Sequence, residues 1–387
     1  MDQHHNEILK SAEELLAARF GGDQQLSHPE DLGGSGFATV LRFRVAHNPF
    51  LTERSVVVKQ MPESSATGVD PSLLREIVAY QFTTSLSDDV RPGPVLLAYD
   101  VDKRLLVISD LGDAHTFASL LAENERETDR MPVVRSLGKA LGMMHEGSAM
   151  REEDFNTLLR RLWSKHRHDP EVAGERDRGI IRSINLGVDL LEALGVPVSD
   201  GVRKAAAEAA RRNASGYHRA FTPFDLSPDN ILMTSRVHFL DYEWAGFRDV
   251  AFDVASVCAG FPMFPFTAPL DRDEARVFID TWHAEVRRTW PDLGEGDNLQ
   301  RRITVALLGW LLISAAAVHS GSAEAILSID ADAPIDPEVG IGGGPRERAD
   351  LAQTARVLSQ FAADCADGTF DGLVELAEGV VALVSED

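Results

Sequence analysis

FTPFDLSPDNILMTSRVHFLDYEWAGFRDVAFDVAS, residues Phe221 to Ser256, is the stretch on which the fold of this chain turns. Asp225 is followed five positions later by Asn230, then by two short β-favouring runs, ILM and VHFL, and then by Asp241, eleven positions after Asn230. Phosphoryl transfer needs a carboxylate that orients an attacking hydroxyl or accepts its proton, and oxygen ligands that hold magnesium on a triphosphate. Asp-x-x-x-x-Asn offers the first role and one ligand from a single loop, and the Asp closing the next strand offers another ligand. Turn-forming Asp and Asn around Pro228 would explain each residue separately. They would not explain what stands upstream.

Upstream lies GGSGF from Gly33, followed by the β-favouring runs TVLRFRV and, at Ser55 to Gln60, SVVVKQ. Gly33, Gly34, Ser35 and Gly36 lie between strand candidates and not before a helix, so they form neither a P-loop nor a dinucleotide fingerprint. They suit a tight hairpin turn, and they equally suit backbone amides that approach phosphate. Lys59 follows Val56, Val57 and Val58, and strand alternation places it on the face of Val57. An edge-strand lysine could snorkel to water; a lysine held on an apolar face needs an anion. Glu76, on a helix that Pro71 can open, is the candidate partner. Glycine loop, strand lysine and helix glutamate, in that order, form the part of a kinase that orients nucleotide phosphates.

The remainder sets bounds. The chain has 387 residues, and 61 Asp and Glu against 38 Lys and Arg leave a net charge of −23, which disfavours nucleic acid and anionic membrane surfaces as partners. Lysines stand only at positions 10, 59, 103, 139, 165 and 204, which makes Lys59 conspicuous. Two cysteines, Cys258 and Cys365, form neither a disulfide framework nor a zinc site, and MDQHHNEILK lacks the pattern of a secretory signal, so a cytoplasmic location is expected. Ile303 to Val318 is apolar but, at 16 residues, short for a membrane span, and is expected to be a buried helix. Strand candidates dominate the first third, including VLLAYDV and RLLVISD. Helical spacing dominates from Thr116 onward. The expected class is α+β, with a strand-rich N-terminal lobe over residues 1–111, a larger helical C-terminal lobe over 112–387 and a cleft between them. Gly340 to Pro345 is expected to be a mobile surface loop.

With these motifs in place, the chain resembles the aminoglycoside phosphotransferase and choline kinase-like family, small-molecule kinases of protein-kinase-like fold. Its members typically read H-G-D-x-x-x-x-N and then D-W-E-x-A-x-x-G-D-P-x-x-D-L-A; this chain has P-F-D-L-S-P-D-N and D-Y-E-W-A-G-F-R-D-V-A-F-D-V-A, with Asp225, Asn230, Asp241, Glu243, Asp249 and Asp253 in register. Matching features run from about Gly33 to Ser256 and include LGKALGMMH, which ends at His145. The resemblance implies that Asp225 is the catalytic base, that Asn230 and Asp241 hold Mg2+, and that Lys59, braced by Glu76, contacts the phosphates of ATP under the Gly33 to Gly36 loop, with GTP left open as an alternative donor. It also implies that the Ser109 carbonyl and the Leu111 amide meet the nucleotide base at the hinge, and that Asp253 pins the catalytic loop. His145 reads as a satisfied core histidine. One departure stands beside the base, where Pro223-Phe224 replaces the usual His-Gly.

The implied activity is transfer of the γ-phosphoryl group to a hydroxyl of a small molecule, acting as a monomer or homodimer. An antibiotic of aminoglycoside or macrolide type is the leading acceptor, and a choline-like amine, amino alcohol or sugar is the alternative; an inactive nucleotide-binding pseudokinase is a further one. The acidic surplus either attracts a cationic acceptor or merely solubilises the surface. Ala259 to Leu270, with Phe261, Met263, Phe264 and Phe266, either lines the cleft for an apolar acceptor or packs between helices.

Overall fold

The structure, a computed structural model, describes residues 3–33, 38–62, 70–124, 130–166, 174–263, 269–294, 297–322, 325, 335, 339–365, 368 and 370–386. Strands β1 (Leu26–Asp31), β2 (Thr39–Val45), β3 (Ser55–Gln60), β4 (Leu96–Asp100) and β5 (Leu105–Ser109) form an antiparallel sheet in the order β1-β2-β3-β5-β4. Helix α1 (Gln3–Phe20) buries Ile8, Ala12 and Leu16, spaced four apart so that they form one stripe, against one face of the sheet. Val56 and Val58 point into that layer, whereas Val57 joins the core on the opposite face. Lys59 therefore projects away from α1, as its alternation with Val57 requires. Strand β1, LSHPED, carries no β-favouring pattern; as an edge strand it borrows pairing from β2 and tolerates Pro29, and its register shifts between Ser27 and Glu30.

Helix α2 (Pro71–Thr84) connects β3 to β4. Asp70 caps it by accepting from the Ser72 amide, and Pro71 occupies the first turn, where its missing N–H costs nothing. The helical spacing sets Leu74, Ile77 and Val78 on one side with Glu76 off to the other, but both sides are buried, from Leu73 through Tyr80. The reason is tertiary. Helix α2 lies between the sheet and α5 (Glu152–Lys165), and its Phe82 ring contacts Phe155 of α5, Phe221 of β7 (Arg219–Thr222) and Phe247 of β10 (Gly246–Asp249), with centroids 5.5 to 5.8 Å apart. The face of the sheet opposite α1 and the helical lobe thus share one continuous core.

The helical lobe continues through α3 (Phe117–Asn124), α4 (Met131–Ser148), α6 (Glu175–Ala193) and α7 (Asp200–Ala214). After β7 come β8 (Ile231–Met233) and β9 (Val237–Phe239), which join β6 (His115–Thr116) in a three-stranded sheet, while β10 pairs antiparallel with β7. Helices α8 (Ala251–Ala259), α9 (Arg272–Val286), α10 (Asp297–Ser320), α11 (Pro345–Ala363) and α12 (Asp371–Glu386) complete the lobe. Helix α10 is long and apolar enough to cross a membrane, yet most of that stretch is buried within the lobe, as expected for Ile303 to Val318. It packs on α6 at Gly187, where a Cβ would come within 2.4 Å of the Leu312 carbonyl. The 340–345 segment is anchored rather than loose, because Ile341 is fully buried and the His319 Nδ1 lies 3.2 Å from the Gly340 carbonyl.

Candidate active site

Side chains from β3, from α2 and from the segment after β9 meet at Lys59. Its Nζ lies 2.8 Å from Glu76 Oε1 on α2 and 2.9 Å from Asp241 Oδ1, just beyond β9. Glu76 is the partner expected from the strand and helix spacing; Asp241, 182 positions from Lys59, is an addition that spacing does not reveal. Burial alone would pull the Lys59 ammonium down, but the two carboxylates outweigh it and hold the ammonium above its ordinary value. Burial pushes the Glu76 carboxyl up, opposed by Lys59 and reinforced by Asp241 and Glu243. Two acids on one ammonium, with Glu243 close enough to act on Glu76, leave a local negative surplus. Tyr80, one turn after Glu76, packs tilted against Tyr242 with centroids 4.7 Å apart, and the Tyr242 hydroxyl donates to the Phe239 carbonyl at 2.8 Å. This contact fixes α2 to the loop that carries Asp241.

Asp225 lies in the turn after β7, where its Oδ1 accepts from the Ser227 amide at 2.9 Å. A single turn of 3-10 helix, Pro228–Asn230, follows, and the Asn230 carbonyl accepts from the Leu240 amide at 2.8 Å. That hydrogen bond ties the Asp225 loop to the residue before Asp241. Both acids sit next to or within left-handed backbone, with φ +64° at Phe224 and +58° at Asp241. Non-glycine residues hold that conformation at a cost and persist in it where the surroundings over-determine it. For Phe224 some of those surroundings are polar and buried. Its amide donates to Thr222 Oγ1 at 2.9 Å, Thr222 donates in turn to Asp253 Oδ1, and Asp253 Oδ2 lies 3.1 Å from His145 Nε2. Trp282 Nε1 can only donate, so His145 Nδ1 accepts from it at 3.0 Å, which leaves Nε2 as the donor to Asp253. His145 is thus a satisfied core histidine, and Asp253 reaches the Asp225 loop through Thr222.

Ser109 ends β5; its amide donates to the Val95 carbonyl and its hydroxyl accepts from the Val95 amide, each at 2.9 Å. Leu111 follows, partly buried, with Asp110 beside it paired to Arg42 of β2 at 2.9 Å. Arg42 also reaches Asp113 at 2.7 Å, so β2 is latched to the segment that follows β5. Gly33 sits at the end of β1 with φ +67°, a conformation glycine adopts freely; Gly34, Ser35 and Gly36 lie outside the described residues. Phe261 is buried edge-to-face against Phe117 at 5.7 Å, which supports packing between helices; Phe264 and Phe266 lie outside the described residues. Spacing along the chain offers no hint of Thr222, of Tyr80 with Tyr242, or of the Arg42 latch. A buried charge cluster is equally silent in the sequence: Arg75 and Arg248 share Asp177 at 3.2 and 2.6 Å.

No family model matches the chain, and no curated protein matches its sequence. Among solved structures, the chain is similar to a choline/ethanolamine kinase family protein from Mesorhizobium loti, at 15% identity and TM-score 0.45, over 97% of this chain and 99% of that one. It is similar to the choline kinase LicA from Streptococcus pneumoniae at 12% identity and TM-score 0.45, over 92% of this chain and 100% of that one. A choline kinase from Cryptosporidium parvum aligns at 9% identity and TM-score 0.43, over 97% of each chain. Identity this low leaves the chemistry to be argued from the chain's own residues.

Proposed function

We propose that this protein is an ATP-dependent O-phosphotransferase that moves the γ-phosphoryl group of ATP to a hydroxyl of a small molecule. The observation that carries this reading is Lys59: one ammonium on β3 bonded at once to Glu76 on α2 and to Asp241 beside the Asp225–Asn230 loop. Lys59, Glu76 and Asp241 meet directly, the Leu240–Asn230 backbone hydrogen bond ties the Asp225 loop to the residue before Asp241, and these residue types match what phosphoryl transfer requires. In this reading Asp225 orients the acceptor hydroxyl and takes its proton as the new O–P bond forms and the bond to the ADP oxygen breaks. Lys59 turns toward phosphate oxygens while Glu76 holds it in place, and Ser109 and Leu111 present backbone groups to the base. The side-chain oxygens of Asn230 and Asp241 are hard donors, and the negative surplus around Lys59 suits a divalent cation. Magnesium bound there would neutralise charge on the phosphates. Among the described residues no three His, Cys, Asp or Glu side chains gather into a protein metal cage, and magnesium on a nucleotide commonly takes only one or two carboxylates.

The acceptor we favour is a polyhydroxylated molecule of antibiotic or sugar type over a quaternary amine. Aromatic faces that would suit a quaternary ammonium are covered by the protein's own cations: the Arg176 guanidinium lies 4.1 Å from the Trp244 ring centre and that of Arg248 lies 4.7 Å from the Phe224 ring centre. An ADP-release screen over aminoglycosides, macrolides, sugars, choline-like amines and amino alcohols tests both levels. Turnover that Asp225→Asn abolishes while magnesium-dependent ATP stabilisation survives supports the reading. Full activity in that variant removes Asp225 from its role, and indifference of the melting temperature to ATP and magnesium removes the activity altogether.

A further inference from the structure

We infer that Arg248 is a positioning residue: its guanidinium, held over the Phe224 ring, keeps Phe224 in left-handed backbone and thereby aims Asp225. The inference rests on the assignment of Asp225 above. Phe224 immediately precedes Asp225 and is 4% exposed, and its φ of +64° is one that a bulky side chain holds only when its surroundings insist. The ring is clamped. Trp310 of α10 stacks on it at 4.9 Å with planes 24° apart, Trp244 lies 6.1 Å away, and the Arg248 guanidinium sits 4.7 Å from its centre.

Arg248 is itself immobilised. It is 1% exposed and its Nη2 is bonded to Asp177 Oδ1 at 2.6 Å. Burial and the neighbouring Arg75 weigh against its charge, while Asp177 and Asp253 support it. Such a cation is costly to keep inside a protein unless it is well paired and well placed. A planar guanidinium can stack on an aromatic face while one edge pairs with a carboxylate, which an ammonium cannot do. Phe224 and Arg248 also stand where the family that the chain resembles typically has glycine, so two large side chains take the place of two glycines and meet each other. The arrangement has a logic: a glycine would reach positive φ without help, and Phe224 reaches it with a clamp.

The test is suppression. Arg248→Lys, which keeps the charge near Asp177 and loses the guanidinium over the ring, should lower kcat at least about tenfold with the KM for ATP unchanged. Adding Phe224→Gly to it should recover much of that loss, because glycine needs no clamp at positive φ. Additive losses, or wild-type kcat in Arg248→Lys, would overturn the inference. Should the double variant fail to fold, Phe224→Leu removes the ring and leaves the Arg248–Asp177 pair; kcat must fall there too, and unchanged kcat overturns the inference. Amide hydrogen exchange over residues 222–230 provides a readout independent of turnover: protection should drop in Arg248→Lys, and unchanged protection counts against the clamp. If the wild-type protein phosphorylates no acceptor, the proposed activity falls while the exchange measurement still decides the role of Arg248.

Discussion

Lys59 illustrates how one side chain can hold buried charges together and, in the proposed activity, also meet phosphate. Its ammonium balances Glu76, which is fully buried, and Asp241, which is partly exposed. Removing it strands a buried carboxylate beside two other acids, a change that typically costs about 3–5 kcal/mol. Lys59→Met should therefore lower the unfolding free energy by an amount of that order, and adding Glu76→Gln should restore part of it, as denaturant titration of the cycle would show. The pH dependence has a definite sign. Burial already raises the Glu76 carboxyl in the folded state. Without Lys59 a proton becomes its best partner, so the folded variant binds protons more tightly than the unfolded chain and gains stability as pH falls. Lys59→Met should be closer to wild type at pH 6 than at pH 8; the opposite order would mean that Glu76 is not the stranded group.

Helix α2 is the element that joins sheet chemistry to loop chemistry. It carries Glu76 toward Lys59, Tyr80 toward Tyr242 and Phe82 toward Phe221, three contacts within two turns that reach β3, the Asp241 loop and β7. Helices α6 and α10 meet by a different device, backbone against backbone at Gly187. Alanine is the better helix former by roughly 1 kcal/mol. Here the added Cβ would stand 2.4 Å from the Leu312 carbonyl and 2.8 Å from its Cα, and backbone cannot swing aside as a side chain can. Overpacking costs typically about 1–3 kcal/mol, so the clash should prevail. Gly187→Ala should lower the melting temperature, and an increase would show that α6 and α10 separate at no cost.

Across the whole molecule, two buried groups pull acid stability in opposite directions. Burial, aided by Arg236, lowers the His238 imidazole to about 4, below its unfolded value near 6.5, so its contribution to stability is lost as pH falls through that interval. Burial raises the Asp350 carboxyl to about 6, although its Oδ2 accepts from the Met263 amide at 2.9 Å. A raised carboxyl contributes stability that is present at low pH and lost as pH rises from about 4 to about 6. The two effects offset each other over much of the same window. Asp350→Asn keeps an acceptor for Met263 and removes the buried charge; it should exceed wild type by about 3 kcal/mol at pH 7 and converge with it near pH 4. Unfolding curves at several pH values check this, and a constant difference would exclude Asp350 as the titrating group.

Much of the candidate site was legible before any coordinates because its chemistry is written in short spacings. Asp225 and Asn230 share one loop, Lys59 obeys strand alternation, and Glu76 lies on the helix that follows. Those relations span a few residues to about twenty, within which backbone geometry alone determines who faces whom. Strand β1 escaped because an edge strand takes its pairing from a neighbour rather than from its own propensity. The link from Lys59 to Asp241, the path from Trp282 through His145 and Asp253 to Thr222, and the placing of Arg248 over Phe224 were equally invisible. Each is a contact between elements whose relative placement depends on how helices and sheets fill a common core, and packing of that kind leaves no periodicity in the chain. Residue types and local spacing thus suggest the chemistry, while the packing of α2, α8, α9 and α10 around the Asp225–Asn230 loop sets where its groups point.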